Sequence, residues 1–189
     1  HREDRRVSIE AELNRANIRS KRIEASKVNA TDPVLDGCWD KDLSSLCAGR
    51  IGCQRSHIRA LEYATAHNWP HVAIFEDDFQ WVQGVDPDTV ISSFQMITTW
   101  RPDWEVIVLS LNIIEKDVFP DHIVNVGANI TAMLMRVHSS LATHGYIVRA
   151  HLFPLLIRVF SYCHVRIALH AAIDTCLQPL QRVTKWYGL

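Results

Sequence analysis

Two hydrophobic patterns follow one another along this chain: short runs of apolar residues, and segments in which apolar residues recur with the period of a helix. The run Val72–Phe75 is rich in β-branched and aromatic residues and stops abruptly at three adjacent carboxylates, and Val106–Leu109 is a second such run. Runs of this length and composition are typical of buried strands. Because segments with helical periodicity lie between and around these runs, the pattern predicts an α/β fold.

The helical segments have recognisable starts. Asp86-Pro87-Asp88 offers an N-cap followed by proline at the first helical position, and Pro154 lies in the first turn of another helix. The sequence predicts helices over residues 3–24 and 49–69, after Asp86, around Leu155–Val159 and through Leu177–Leu180; strands at 106–110, 131–136 and 146–148; and loops at 29–45 and 112–127, the latter with a weak strand at 122–126.

The three carboxylates after the first run are Glu76, Asp77 and Asp78. On an extended chain Glu76 and Asp78 point the same way and Asp77 points oppositely. Their mutual repulsion is relieved by solvent, or by a divalent cation that bridges to a phosphate-bearing substrate. For an isolated acidic triplet, relief by solvent is the better explanation. Ligands of open α/β sheets, however, collect beyond the carboxyl ends of the strands, and this position favours the cation.

Composition indicates one compact, enzyme-sized domain over residues 1–189, with 48% hydrophobic residues, 22% charged residues and a formal net charge of -1. The balanced charge argues against a nucleic-acid partner. No apolar run approaches the roughly 20 residues that cross a bilayer, and no signal peptide is visible at the start. We therefore expect no transmembrane segment and a cytoplasmic location.

The cysteines are odd in number and include no Cys-x-x-Cys pair, which predicts a reducing compartment and free buried thiols. Cys53 with His57, or Cys163 with His164, has a spacing compatible with zinc. Neither is accompanied by a second closely spaced pair, so free thiols remain the better prediction. The five cysteines are Cys38, Cys47, Cys53, Cys163 and Cys176.

Upstream of the acidic triplet the chain reads Gly49-Arg50-Ile51-Gly52-Cys53-Gln54-Arg55-Ser56-His57, and Trp69-Pro70 follows before the strand. This order resembles glycosyltransferase family 25, whose pattern is Gly-x-x-Gly-Cys-x-x-Ser-His opening to a helix, then a strand that ends in Glu-Asp-Asp. The basic start of the chain, Asp103–Leu109, Gly145–Val148 and Asp174 follow the family's order more loosely. The family commonly has an acidic residue where this chain has Arg50.

The resemblance implies a GT-A-like fold, with a mainly parallel sheet flanked by helices. It also implies that the first strand lies before residue 1, since the chain opens like the basic tail that follows this strand. The implied reaction transfers a sugar from a nucleotide diphosphate sugar, with a UDP-sugar favoured, to a hydroxyl of a glycan or glycoprotein. It favours inversion at the anomeric centre and a metal, Mn²⁺ or Mg²⁺.

Candidate roles follow from the resemblance. Asp78 with Glu76 would hold the metal, and Asp174 would be the general base for the acceptor hydroxyl. A helix cap explains Asp174 equally well, an ordinary solvated helix face explains the leading arginines, and a structural role explains His57. The residues assigned to donor binding are Arg2, Arg5, Arg6, Gly52, Ser56, His57, Glu76 and Asp77, with Gly52 relaxing the helix entrance so that free N–H groups approach an anion.

Two other functions fit the same acidic strand end. A metal-dependent phosphohydrolase would use the same ligands with water as acceptor. A carbohydrate-binding or scaffold domain would keep the fold without the reaction.

Overall fold

The computed structural model describes residues 3–29, 31–32, 44–109, 112–127, 129–141, 143–163 and 172–189. Helices and strands are numbered here in chain order. The elements are α1 (Glu3–Arg15), α2 (Ser44–Ala66), β1 (His71–Phe75), α3 (Pro87–Trp100), β2 (Val106–Val108), β3 (Asn112–Gly127), β4 (Ile130–Leu141), β5 (Gly145–Arg149), α4 (Phe153–Cys163), α5 (Ile173–Val183) and β6 (Trp186–Gly188), with a short 3₁₀ turn at Ala150–Leu152.

The strands form one sheet in the order β1-β5-β2-β6-β4-β3. β2 and β6 are parallel, whereas β4 is antiparallel to both β6 and β3. β5 runs opposite to β1, because the Glu76 N–H donates to the His144 carbonyl and the Ala150 N–H donates to the Pro70 carbonyl, at opposite ends of the two strands. The α/β class is confirmed, but the prediction of a mainly parallel sheet is wrong.

The hairpin β3–β4 supplies one of the antiparallel pairs. Its strands meet at Asn129, which adopts a positive φ of 62°, and a connection this short joins only antiparallel strands. Most of β3 is exposed, with Val124 and Val126 as its buried residues. The weak strand predicted at 122–126 is confirmed as part of β3, whereas the prediction of a loop for the rest of residues 112–127 is wrong.

The chain divides into two compact units, and the first comprises His1–Lys21, Ala73–Ile147 and Gln181–Leu189. Its core includes Ile97, Trp104, Ile107, Leu134 and Tyr187. The buried Arg136 guanidinium donates to the carbonyls of Thr184 and Trp186 and so links β4 to the end of the chain. Burial lowers the pKa of Arg136.

The second unit comprises Arg22–Val72 and Val148–Leu180. There α2 packs on α4, with Leu61, Leu156 and Phe160 fully or almost fully buried. The prediction of a single domain stays a prediction.

A disulfide joins Cys163 at the end of α4 to Cys176 in α5, and Cys47 is also disulfide-bonded. The prediction of free thiols throughout is therefore wrong, although Cys53 is free. Spacing did not reveal the bridge, because Cys163 and Cys176 belong to different helices that tertiary folding brings together. Cys38 and His164 lie outside the described residues.

The helix starts predicted at Asp86 and Pro154 are confirmed. Asp86 caps α3 by accepting the Thr89 N–H, and its hydrogen bonds with Thr89 lower the pKa of Asp86. By contrast α1 ends at Arg15, earlier than predicted, and Asn17 follows with a φ of 50°. Such a left-handed asparagine is a common helix stop. Among the described residues, no helix has the length and apolar character needed to cross a membrane.

Candidate functional site

The acidic segment, residues 76–78, leaves β1 in a tight turn. Ile74 is buried, the Glu76 N–H continues the pairing with β5, and the Phe79 N–H donates to the Glu76 carbonyl at 3.2 Å. Phe79 then returns to the interior and packs so closely on Gly145 that a Cβ there would lie 2.8 Å from its ring. The turn is thus held by buried groups on both sides, while Asp77 and Asp78 are exposed and Glu76 is half-buried.

The start of β5 lies beside the acidic segment because β5 is antiparallel to β1. The Thr143 hydroxyl donates to the Glu76 carboxylate. One ligand atom each from Glu76, Asp78 and the His144 imidazole lie within 4.8 Å of one another. Thr143 and His144 are functional candidates that the sequence analysis missed. The only signal was a polar pair directly before a strand, and a parallel sheet gave no reason to inspect that end.

Arg5 on α1 supplies positive charge to the acidic segment. Its guanidinium lies 2.8 Å from the Asp77 carboxylate and 3.1 Å from that of Asp78. The hydrogen bond to Asp77 is the main reason that the pKa of Arg5 is raised. The same helix is anchored through Glu12, whose carboxylate accepts the Trp81 backbone N–H and whose carbonyl accepts the Trp81 indole N–H, both at 3.1 Å.

Arg6, the next leading arginine, pairs within its own helix and not with the acidic segment. Arg6 pairs with Glu10 at 2.8 Å and Glu3 at 3.6 Å, both on its own helix, which is the arrangement of an ordinary solvated helix face. Arg2 lies outside the described residues. The donor-binding roles of Arg2 and Arg6 stay predictions.

Gly52, Ser56 and His57 belong to the second unit, on α2. Because α2 begins at Ser44, Gly52 is inside the helix, so the prediction of free N–H groups at a helix entrance is wrong for Gly52. The glycine instead permits a close approach, since a Cβ there would lie 2.6 Å from the Ser26 carbonyl oxygen. The Ser56 hydroxyl donates to the Gly52 carbonyl at 2.7 Å and accepts the Ser26 N–H at 3.0 Å.

His57 is 4% exposed and its ring meets Phe160 edge-on, with 5.9 Å between the ring centroids. These contacts give it a place in the packing of α2 on α4. Contact of Gly52, Ser56 or His57 with a donor stays a prediction.

Asp174 also belongs to the second unit, in the first turn of α5. Its carboxylate accepts the Thr175 N–H at 2.7 Å and lies 3.4 Å from the Thr175 hydroxyl. An acidic residue in a first helical turn is stabilised by the helix dipole. The disulfide at Cys176 fixes this turn to the end of α4. The start of α5 thus gives Asp174 a local structural role, and its role as a base stays a prediction.

The residues of the acidic segment fit a divalent cation. Two carboxylates and an imidazole offer oxygen and nitrogen atoms at mutual separations that one ion can span. Glu76 would keep one oxygen on Thr143, which orients the carboxylate as an outer partner does in metal sites.

An apolar cavity of about 230 Å³ lies in the same unit. Phe79 and Trp81, which directly follow the acidic segment, line it together with Val108 and Leu109 of β2 and its end. The rings of Phe79 and Trp81 meet edge-on, with centroids 5.0 Å apart. This surface can cover an uncharged ring of a substrate whose charged part is held by the acidic segment.

The comparison with protein families gives one finding. The family model described as glycosyltransferase family 25 (LPS biosynthesis protein) matches residues 1–169. The matched residues include Arg5, the acidic segment and His144, but Asp174 lies beyond them. No curated protein matches the chain significantly.

Proposed function

We propose that this chain, which belongs to glycosyltransferase family 25, transfers a sugar from a UDP-sugar or similar nucleotide diphosphate sugar to a hydroxyl of a glycan or glycoprotein, with a divalent metal. Membership of the family indicates a glycosyltransferase, and such an enzyme needs a donor and an acceptor. The observation that carries the finer proposal is the group formed by Glu76, Asp78 and Arg5 at the end of β1. A GT-A-like arrangement of the nucleotide site around this strand end belongs to the same proposal.

The chemical demand of the reaction is the charge on the leaving diphosphate. Bond breaking at the anomeric carbon leaves negative charge on the phosphate oxygens, so stabilisation must be in position beforehand. Arg5 is a permanent cation that can turn its free N–H groups toward these oxygens while Asp77 holds it at 2.8 Å. A bound Mn²⁺ or Mg²⁺ would supply Lewis-acid stabilisation at the same place. Glu76 and Asp78 would hold that ion and orient the donor.

The acceptor hydroxyl must lose its proton as it attacks. We assign this proton to Asp174, whose carboxylate on α5 has the chemistry of a general base. Direct attack from the face opposite the leaving group inverts the anomeric centre.

A panel of nucleotide sugars tests this proposal. The protein is incubated with Mn²⁺ and each donor, and release of the nucleoside diphosphate is followed with and without glycan acceptors. We expect slow hydrolysis of one donor in water and faster release with an acceptor. Asp78→Asn should lose this activity, whereas Asp117→Asn, which alters a carboxylate of the hairpin paired with His138, should keep it.

The same assay separates the rival functions. Family membership favours transfer over phosphohydrolysis. If the protein releases phosphate from simple esters and acts on no nucleotide sugar, it would instead be a phosphohydrolase. If the protein catalyses neither reaction but binds glycans, its function would instead be that of a carbohydrate-binding scaffold.

A further inference from the structure

We propose that His144 is a nitrogen ligand of the divalent cation that Glu76 and Asp78 hold, and that it selects a Mn²⁺-like ion over Mg²⁺. This inference rests on the proposed function and concerns the same site. It assigns part of the metal chemistry to His144, the residue directly before β5 and outside the acidic segment.

Glu76, Asp78 and His144 lie close enough together to share one ion. Ligand atoms of an octahedral ion lie about 2.1 Å from it, so that opposite ligands are about 4.2 Å apart. The three side chains offer atoms within 4.8 Å of one another, which a small side-chain rotation converts to a common ion. His144 is exposed, as is Asp78, so the ion can enter from solvent.

The backbone around His144 is fixed on two sides. Its carbonyl accepts the Glu76 N–H at 2.8 Å, and the next carbonyl, that of Gly145, accepts the Leu109 N–H at 2.9 Å. The preceding residue, Thr143, donates to Glu76. His144 is therefore attached to the same strand end as the carboxylates, so their separation does not depend on a separate loop.

The charges allow Asp78 to change partners. Arg5 contacts both Asp77 and Asp78, at 2.8 and 3.1 Å. If Asp78 turns to an ion, Arg5 keeps its shorter contact to Asp77. The third carboxylate of the acidic segment thus has a defined role: it holds the arginine while the other two carboxylates hold the metal.

The ligand types decide which metal is favoured. Carboxylate oxygens alone suit Mg²⁺, Ca²⁺ and Mn²⁺, whereas imidazole nitrogen suits transition metals and adds little affinity for Mg²⁺. A site with one imidazole and two carboxylates should therefore prefer Mn²⁺. Without His144, the preference for Mn²⁺ over Mg²⁺ should weaken to that of a pair of carboxylates.

Pulsed electron paramagnetic resonance of bound Mn²⁺ tests the assignment directly, because a coordinated imidazole adds nitrogen modulation to the signal. The parent protein should show this modulation, and His144→Ala and His144→Gln should lose it. His138→Ala is the matched control, since His138 in the same unit contacts a single carboxylate, Asp117, at 2.7 Å. A calorimetric comparison of Mn²⁺ with Mg²⁺ should show the ratio of the two affinities falling about tenfold in His144→Ala.

The outcomes are distinguishable from failure of the proposed function. Nitrogen modulation that persists in both folded His144 variants, or that is absent from Mn²⁺-loaded parent protein, would overturn the assignment of His144 while leaving sugar transfer intact. No binding of Mn²⁺ by the parent protein, with or without UDP, would overturn it as well. Donor hydrolysis in the same preparation then decides independently whether the protein is a transferase.

Discussion

The acidic segment after β1 and the first turn of α5 both present carboxylates, but their surroundings differ. Glu76, Asp77 and Asp78 are adjacent and meet Arg5, Thr143 and His144 from two other elements. Asp174 is a single carboxylate in a first helical turn, where it accepts the N–H of the next residue, Thr175. The position of Asp174 in a first helical turn has a local explanation in helix geometry. Helix geometry does not explain why three charges are concentrated at the end of one strand.

This difference separates two kinds of evidence for function. At the acidic segment, tertiary folding brings together groups whose combination suits a cation and a phosphate. At Asp174 the role of a base comes from resemblance, and the matched family region ends at residue 169. Substitutions in the two regions should therefore have different effects.

Glu76→Ala should lower the rate of sugar transfer by about 10³-fold, because it removes a carboxylate that would hold the metal ion at the diphosphate site and leaves the Thr143 hydroxyl without this partner. The fold should persist, since a carboxylate at a strand end adds little to the core. Transfer rates with saturating Mn²⁺ and the thermal midpoint measure both effects. Glu115→Ala, an exposed hairpin residue paired with Arg182, is the control and should keep the parental rate.

Asp174→Asn should lower the transfer rate by about 10²-fold if Asp174 is the base, because the amide keeps size and hydrogen bonding but accepts no proton. Donor affinity should hardly change. If Asp174 only supports the helix start, asparagine replaces it and neither rate nor thermal midpoint moves much. Near-parental turnover of this variant would reassign the base to another residue and sharpen the contrast with the acidic segment.

Cys163→Ser should destabilise the protein by about 3 kcal/mol, because the bridge to Cys176 closes a short loop. Chemical denaturation of the variant beside Cys53→Ser, which changes a free thiol, measures the difference. The bridge lies near the first turn of α5, so its loss should also lower the rate of sugar transfer. Binding of Mn²⁺ by the acidic segment should survive, and loss of that binding would show that the two regions are not independent.

Arg5→Ala should weaken binding of a nucleoside diphosphate roughly tenfold, as expected for one charge-assisted hydrogen bond. Arg6→Ala is the matched variant on the adjacent position of α1, where the side chain pairs within its own helix. It should leave affinity unchanged. Equal effects of the two substitutions would mean that Arg5 acts only through the general charge of the helix.

Much of the local structure could be predicted from the sequence. The cap at Asp86, the buried strands β1 and β2 and the acidic end of β1 each have a local cause, namely a capping side chain or an uninterrupted apolar run. The family also followed from the order of short motifs, and the family comparison confirms it.

The partners of the acidic segment could not be predicted because they depend on strand direction. In a parallel sheet, polar residues before a strand lie at the opposite edge from the carboxyl ends of its neighbours. Here β5 is antiparallel to β1, so Thr143 and His144 meet Glu76. Strand direction in turn depends on pairing over long sequence separations, and neither alternation nor motif spacing encodes it locally.

Calorimetry of UDP binding to the parent protein and to Asp78→Ala, each with and without Mn²⁺, tests the acidic segment as a metal and diphosphate site. Mn²⁺ should strengthen UDP binding to the parent protein and have little effect on the variant, because Asp78 provides part of the attachment between ion and protein. Equal UDP affinity in the two proteins, with the same response to Mn²⁺, would contradict the assignment of the acidic segment as the metal and diphosphate site.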